Sequence, residues 1–270
     1  MNLVKAPLKR LQAIDHHQLA GKEIDLDLLE EAGCFVVRDV IETSVVEKCL
    51  EHYQELQLRQ HENPDAHPTE VRLHRPDNFS MLLEHPGVVS IASKIFDGSV
   101  GWDFIRLVRK DEAHPNPVFL HQDFCYQLGW GRQFSLFIAL TPNHPENGGL
   151  HVHLGTHKLG YLGDAGELNR QALPEGLPVL KPILSSGDVL VMHSAAWHES
   201  GPNVDGTDRV YFELHLVPGE NPYGQGAICG ELNQPWKFEG SMIDRDHEQL
   251  FSNSRTQKLK YLYAERFNRN

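Results

Sequence analysis

Between residues 101 and 218 the chain is cut into short apolar runs by Gly, Pro, Asn and Asp. The runs are Trp102–Arg109, Val118–Phe124, Phe134–Leu140, Leu150–Leu154, Val179–Leu184, Asp188–His193 and Arg209–Val217. Short strands at such spacing, with this punctuation, predict an antiparallel sandwich or barrel rather than a parallel sheet. The flanks read differently. Residues 1–97 are helix-rich: Glu23–Ala32 is apolar-periodic and stopped by Gly33, Thr43–Gln60 sets Val45, Val46, Cys49, Leu50, Tyr53 and Leu56 at helical spacing, and Pro86–Phe96 has Pro in its first turn. A β-branched run, Cys34–Val40, lies among them. Residues 219–270 open with a Gly/Pro/Asn-rich loop and close on a predicted helix, Ile243–Arg266. Helices first and strands afterwards argue against a doubly wound fold.

The expected architecture is mainly β with helical flanks. It is a single domain over 1–270, with a helical part at 1–97, a double-stranded β-helix (jelly-roll, cupin-like) core at 101–218 and a C-terminal loop and helix at 219–270. A chain of 270 residues, 40% hydrophobic and 23% charged, is long enough for such a core and too apolar to be disordered. With Lys+Arg 25 against Asp+Glu 37, the formal charge of −12 disfavours a nucleic-acid partner. No run approaches the ~18 apolar residues of a membrane span. The first residues lack the apolar core of a signal peptide, so a cytoplasmic location is expected. Oligomeric state stays open. The four cysteines are far apart and form no CxxC pair, which suits reduced thiols. The 17 histidines stand out.

One histidine cluster carries chemistry. His121-Gln122-Asp123 lies in a strand-like run, where residues i and i+2 project from one face, and His198 follows 75 positions later (198 − 121). Two imidazoles and a carboxylate with open coordination positions are the set that suits non-haem iron(II). Alone the triple is weak, since about one His-x-Asp is expected by chance among so many histidines.

Three passages raise it. His121-Gln-Asp-Phe, Asn147-Gly-Gly-Leu-His-Val-His-Leu-Gly-Thr-His157-Lys158, and Gly187-Asp-Val-Leu-Val-Met-His193 with His198-Glu-Ser-Gly-Pro-Asn203 and Arg209 resemble, in order and spacing, the motifs of the phytanoyl-CoA dioxygenase family. The resemblance covers roughly 101–217. It implies an iron(II)/2-oxoglutarate-dependent dioxygenase, with His121, Asp123 and His198 as metal ligands and dioxygen as second co-substrate. The default activity is hydroxylation of an unactivated carbon of a small-molecule metabolite, with release of succinate and CO2; desaturation, epoxidation and ring closure stay open. Asp123 speaks against halogenation, because halogenating relatives replace that carboxylate with a small residue.

Arg209, 11 positions beyond His198 (209 − 198), matches the family's arginine for the distal carboxylate of 2-oxoglutarate. Ser200 and Ser135 resemble further co-substrate contacts. His151, His153 and His157 fall in the turn-and-strand signature, where scaffold roles are expected. Arg106, Phe124, Trp130 and Tyr223 are candidate substrate contacts, with Lys110 a second candidate for an anionic substrate. The stretches 60–80 and 219–240, without a clear strand or helix pattern, are expected to form the mouth over the metal. Two rivals remain: a non-oxidative metal-dependent enzyme, which would not need Arg209, and a non-catalytic ligand-binding protein, which would not need three intact ligands.

Overall fold

A turn-terminated helix hands the chain into the sheet. Asp25 caps α1 (Leu26–Ala32) by accepting from the Leu28 N–H at 3.0 Å, and Gly33, at φ 83°, ends it in a left-handed conformation favourable to glycine. The β-branched residues that follow enter β2 (Cys34–Val37). The structure is a computed structural model. It describes residues 16–61, 67–73, 75–124, 132–160, 167–168, 175–221 and 224–230. Trp130, Tyr223 and the expected helix Ile243–Arg266 lie outside the described residues, all of which belong to one compact unit, Met1–Asn233.

The longer helices that follow are α2 (Thr43–His61) and α3 (Pro86–Phe96), close to the expected bounds. The other strands are β1 (Ala20–Gly21), β3 (Glu70–Leu73), β4 (Val100–Lys110), β5 (Val118–His121), β6 (Phe134–Ala139), β7 (Leu150–His153), β8 (Val179–Leu180), β9 (Val189–His193), β10 (Trp197–Ser200), β11 (Arg209–Pro218) and β12 (Gly226–Cys229). They form two sheets. The larger runs β1-β2-β9-β6-β11-β4-β12, with β3 also on β4; the smaller runs β5-β10-β7-β8. Only β1 and β2 pair in parallel among the described strands.

Strand alternation divides the larger sheet into two faces. Val210, Phe212, Leu214 and Leu216 of β11, with Leu136 and Ile138 of β6, join Val46, Cys49, Val88 and Ile91 of the helices in one core. The opposite face packs on the smaller sheet, where Phe137, Met192 and Tyr211 meet Leu150, Val152 and Leu180. The result is a mixed β-sheet core with flanking helices.

Two expectations need correction. The helical N-terminal part supplies strands to the core, since β2 pairs with β9 and β3 with β4. The stretches 60–80 and 219–240 are not both strandless, because β3 and β12 lie within them and extend the edge of β4. Neither tetrapeptide shows a strong strand pattern of its own. The eleven-residue β4 offers a long edge whose N–H and C=O groups need partners. Among the described residues, no helix is long and apolar enough to cross a membrane.

Candidate active site

Two neighbouring strands of the smaller sheet deliver the histidines. His121 ends β5, and His198 lies directly opposite it on β10. Asp123 follows in the loop, which its middle residue fastens: Gln122 donates to the carbonyls of Gly160 (2.9 Å) and Ala195 (2.8 Å). The Phe124 N–H adds a bond to the Ser194 carbonyl.

Both imidazoles are set for metal binding. His121 Nδ1 lies 2.7 Å from the Phe119 carbonyl and His198 Nδ1 lies 3.0 Å from the Ala196 carbonyl. A carbonyl can only accept, so each Nδ1 carries the hydrogen and each Nε2 offers a lone pair. Those Nε2 atoms stand 3.6 Å and 3.4 Å from one oxygen, Oδ1 of Asp123. The three donors lie within 4.8 Å of one another, and all three residues are buried. This donor set fits a borderline divalent cation with open positions.

The three groups also shift one another electrostatically. Burial would raise the Asp123 carboxyl, but the His198 and His121 imidazoles outweigh it and hold the group well below its usual range. Burial would likewise lower His198, yet Asp123 raises it overall, whereas burial and the neighbouring His198 push His121 down.

Two cations stand at one end of the inward face. Arg209, at the start of β11, pairs in register with Lys110 at the end of β4. They are 2% and 3% exposed. Lys110 Nζ donates to Ser200 Oγ at 2.8 Å and also to the Gly201 carbonyl. The Arg209 guanidinium lies 4.7 Å from the Tyr211 ring centre, and its Nε has no hydrogen-bond partner. Neither cation makes an ion pair with a described carboxylate. Burial, with Arg209 adding to it, lowers Lys110 to about 7.

The remaining expected site residues are arranged as follows. Ser135, from β6 across the sandwich, donates to Asp123 Oδ2 at 2.9 Å. A hydroxyl has one proton, so that proton is not free for a co-substrate carboxylate. Arg106 is on the inward face, but Glu213 takes its Nε (2.7 Å) and Nη2 (3.1 Å) and Glu70 takes its Nη1 (2.9 Å). Its charge is thereby matched inside the protein, which disfavours a grip on an anionic substrate. Phe124 is half-buried beside Asp123. His151 and His153 flank Val152, the residue opposite His198, so they face away from the metal ligands. His157 Nε2 lies 3.0 Å from the Glu30 carbonyl, tying its turn to α1.

Sequence reasoning missed Glu213 and His215. Glu213 is fully buried between Arg106 and His215, whose Nε2 is 2.6 Å from Oε1. The signal was present in alternation: Arg209, Tyr211, Glu213 and His215 share one face of β11 while the intervening residues are all apolar.

A double-sheet β core that presents two histidines and an aspartate inward is the architecture of mononuclear non-haem metal enzymes. The sequence signature "Phytanoyl-CoA dioxygenase (PhyH)" matches residues 29–210, more than half of the chain, and the chain belongs to that family. His121, Asp123 and His198 form its candidate metal triad, a set consistent with the iron(II)/2-oxoglutarate sites of that family. One relative is the 1-deoxypentalenic acid 11-beta-hydroxylase of Streptomyces arenae, 25% identical over 189 residues, or 62% of this chain and 65% of the relative. Thus the chain spans 65% of the length of that curated relative. Among solved structures, the apo form of the non-haem monooxygenase ThoJ aligns at a TM-score of 0.64 and 18% identity, over 91% of this chain and 100% of that one. The epimerase SnoN, solved with Fe3+, alpha ketoglutarate and nogalamycin RO, aligns at 0.60 and 18%, over 72% and 82%. These likenesses match the core to the double-stranded β-helix fold.

Proposed function

We propose that the chain hydroxylates an unactivated carbon of a small-molecule metabolite, consuming 2-oxoglutarate and dioxygen and releasing succinate and CO2. The observation that carries the reading is the buried pair Arg209 and Lys110. Two like charges opposite each other in a sheet destabilise it unless an anion joins them or one sheds its proton, and no described carboxylate joins this pair, so a bound anion would keep both charged. A dicarboxylate chelated at the triad through one end would place its other end there. Ser200 stands two residues beyond His198 on the same strand and adds a hydroxyl to that end.

The chain's own residues have distinct tasks. His121, Asp123 and His198 hold the iron, Arg209 supplies a planar fork for the distal carboxylate, and Lys110 adds charge beside it. Iron(II), when bound, supplies the activation of dioxygen that no side chain can perform. Burial of His121, Asp123 and His198 keeps bulk water from the centre. Substrate placement decides whether a carbon is hydroxylated or, as the SnoN name indicates for that protein, epimerised.

The test is succinate formation from 2-oxoglutarate with iron(II) and ascorbate, followed by mass spectrometry of a metabolite extract. A product heavier by one oxygen, dependent on 2-oxoglutarate, supports hydroxylation. A consumed metabolite with no mass change would move the reading to epimerisation. Absence of 2-oxoglutarate turnover, with and without extract, would overturn the reading.

A further inference from the structure

Asp123 could bind a metal through one oxygen or through two, and the choice sets how many positions remain for co-substrates. With two imidazoles and a single carboxylate oxygen, a roughly octahedral ion keeps one whole face open. A second carboxylate oxygen would close part of that face. The aspartate side chain does not favour either mode by itself, so its surroundings decide.

Those surroundings are asymmetric. Oδ1 faces both imidazole Nε2 atoms, at 3.6 Å and 3.4 Å, while Oδ2 accepts the Ser135 hydroxyl at 2.9 Å. In that bond the serine hydroxyl is the donor and Oδ2 the acceptor. Ser135 is fully buried in the middle of the larger sheet, between β9 and β11, and its Cα cannot follow a rotation of the carboxylate. The bond also ties the loop after β5 to the opposite sheet.

We propose that Ser135 is a positioning residue that withdraws Oδ2 and makes Asp123 a one-oxygen ligand, keeping a full coordination face open for co-substrates. The inference rests on the metal site proposed above. It differs from a co-substrate contact in acting only through Asp123. Outer partners of metal ligands typically change metal affinity or activity by about 10- to 100-fold when removed.

Cobalt(II) reports coordination through its visible absorption and serves as the probe in the full chain. Wild type and Ser135→Thr, which keeps the hydroxyl, are expected to bind one cobalt with the same spectrum. Ser135→Ala is expected to bind cobalt with an altered spectrum and to take 2-oxoglutarate about tenfold or more weakly at that cobalt. Infrared difference spectra of wild type, with and without cobalt, provide a check that needs no variant. A wide splitting of the aspartate carboxylate stretches marks one-oxygen binding, and a narrow splitting overturns the proposal. Ser135→Ala spectra and 2-oxoglutarate titrations that overlay wild type would also overturn it while leaving the metal site intact. Failure of wild type to bind cobalt would overturn the metal site itself, and the role of Ser135 with it.

Discussion

Replacing Arg209 with alanine removes one of the two buried cations that face the proposed co-substrate carboxylate. Truncating one member of a buried, hydrogen-bonded charge pair costs about 2–5 kcal/mol. The lower half of that range applies here, because Lys110 stands directly opposite and remains. Burial, then Arg209, lowers Lys110 to about 7, so deleting Arg209 lets Lys110 climb and keep its proton. A loss of about 2–3 kcal/mol corresponds to on the order of 30- to 150-fold weaker 2-oxoglutarate binding, at 1.36 kcal/mol per factor of ten. Arg209→Lys should recover part of it, since an ammonium lacks the planar fork. Calorimetric titration of 2-oxoglutarate into manganese(II)-loaded protein measures this directly, and manganese affinity should not change. Binding within about threefold of wild type in Arg209→Ala would refute the reasoning and place the anchor elsewhere.

Three further outcomes are expected. His198→Ala should abolish stoichiometric metal binding and 2-oxoglutarate-dependent succinate formation while leaving the circular dichroism spectrum in place, because the sheets are held by apolar packing; undiminished turnover would sink the triad. In the free chain Lys110 is a cation below about pH 7 and loses its proton above it, so 2-oxoglutarate affinity should fall as pH rises through 7. Lys110→Met should flatten that profile, and a flat wild-type profile would rule Lys110 out. Arg106→Met leaves the fully buried Glu213 carboxylate with His215 and should cost about 3 kcal/mol in urea unfolding, the low end for breaking a buried pair, with most of it regained in Arg106→Met/Glu213→Met. A single-variant loss below about 1 kcal/mol would show that His215 alone suffices for Glu213.

Local signals foretold the elements that depend on local chemistry. The helices Leu26–Ala32, Thr43–His61 and Pro86–Phe96 follow from apolar periodicity, a capping aspartate, a stopping glycine and an N-terminal proline. The apolar runs between 101 and 218 became strands because punctuated β-branched and aromatic segments have few other ways to bury themselves. The metal triad was legible through its likeness to family motifs, whereas strand alternation is not what pairs His121 with Asp123, since β5 ends at His121 and Asp123 lies in the following loop. Edge strands β3 and β12 were not legible: their pattern is weak, and they are strands because β4 has an edge to satisfy.

The sequence by itself determined the longer helices and the strand-rich core, because these depend on side-chain type and spacing within a few residues, and its likeness to family motifs singled out the three metal-ligand candidates. The tertiary structure alone decided who stands beside whom. It set Lys110 against Arg209, turned the Arg106 fork toward Glu213, and brought Ser135 across the sandwich to Asp123. Those pairings depend on strand register and on the packing of two sheets, and register is a long-range property: one residue of slip would send every one of these side chains to the other face.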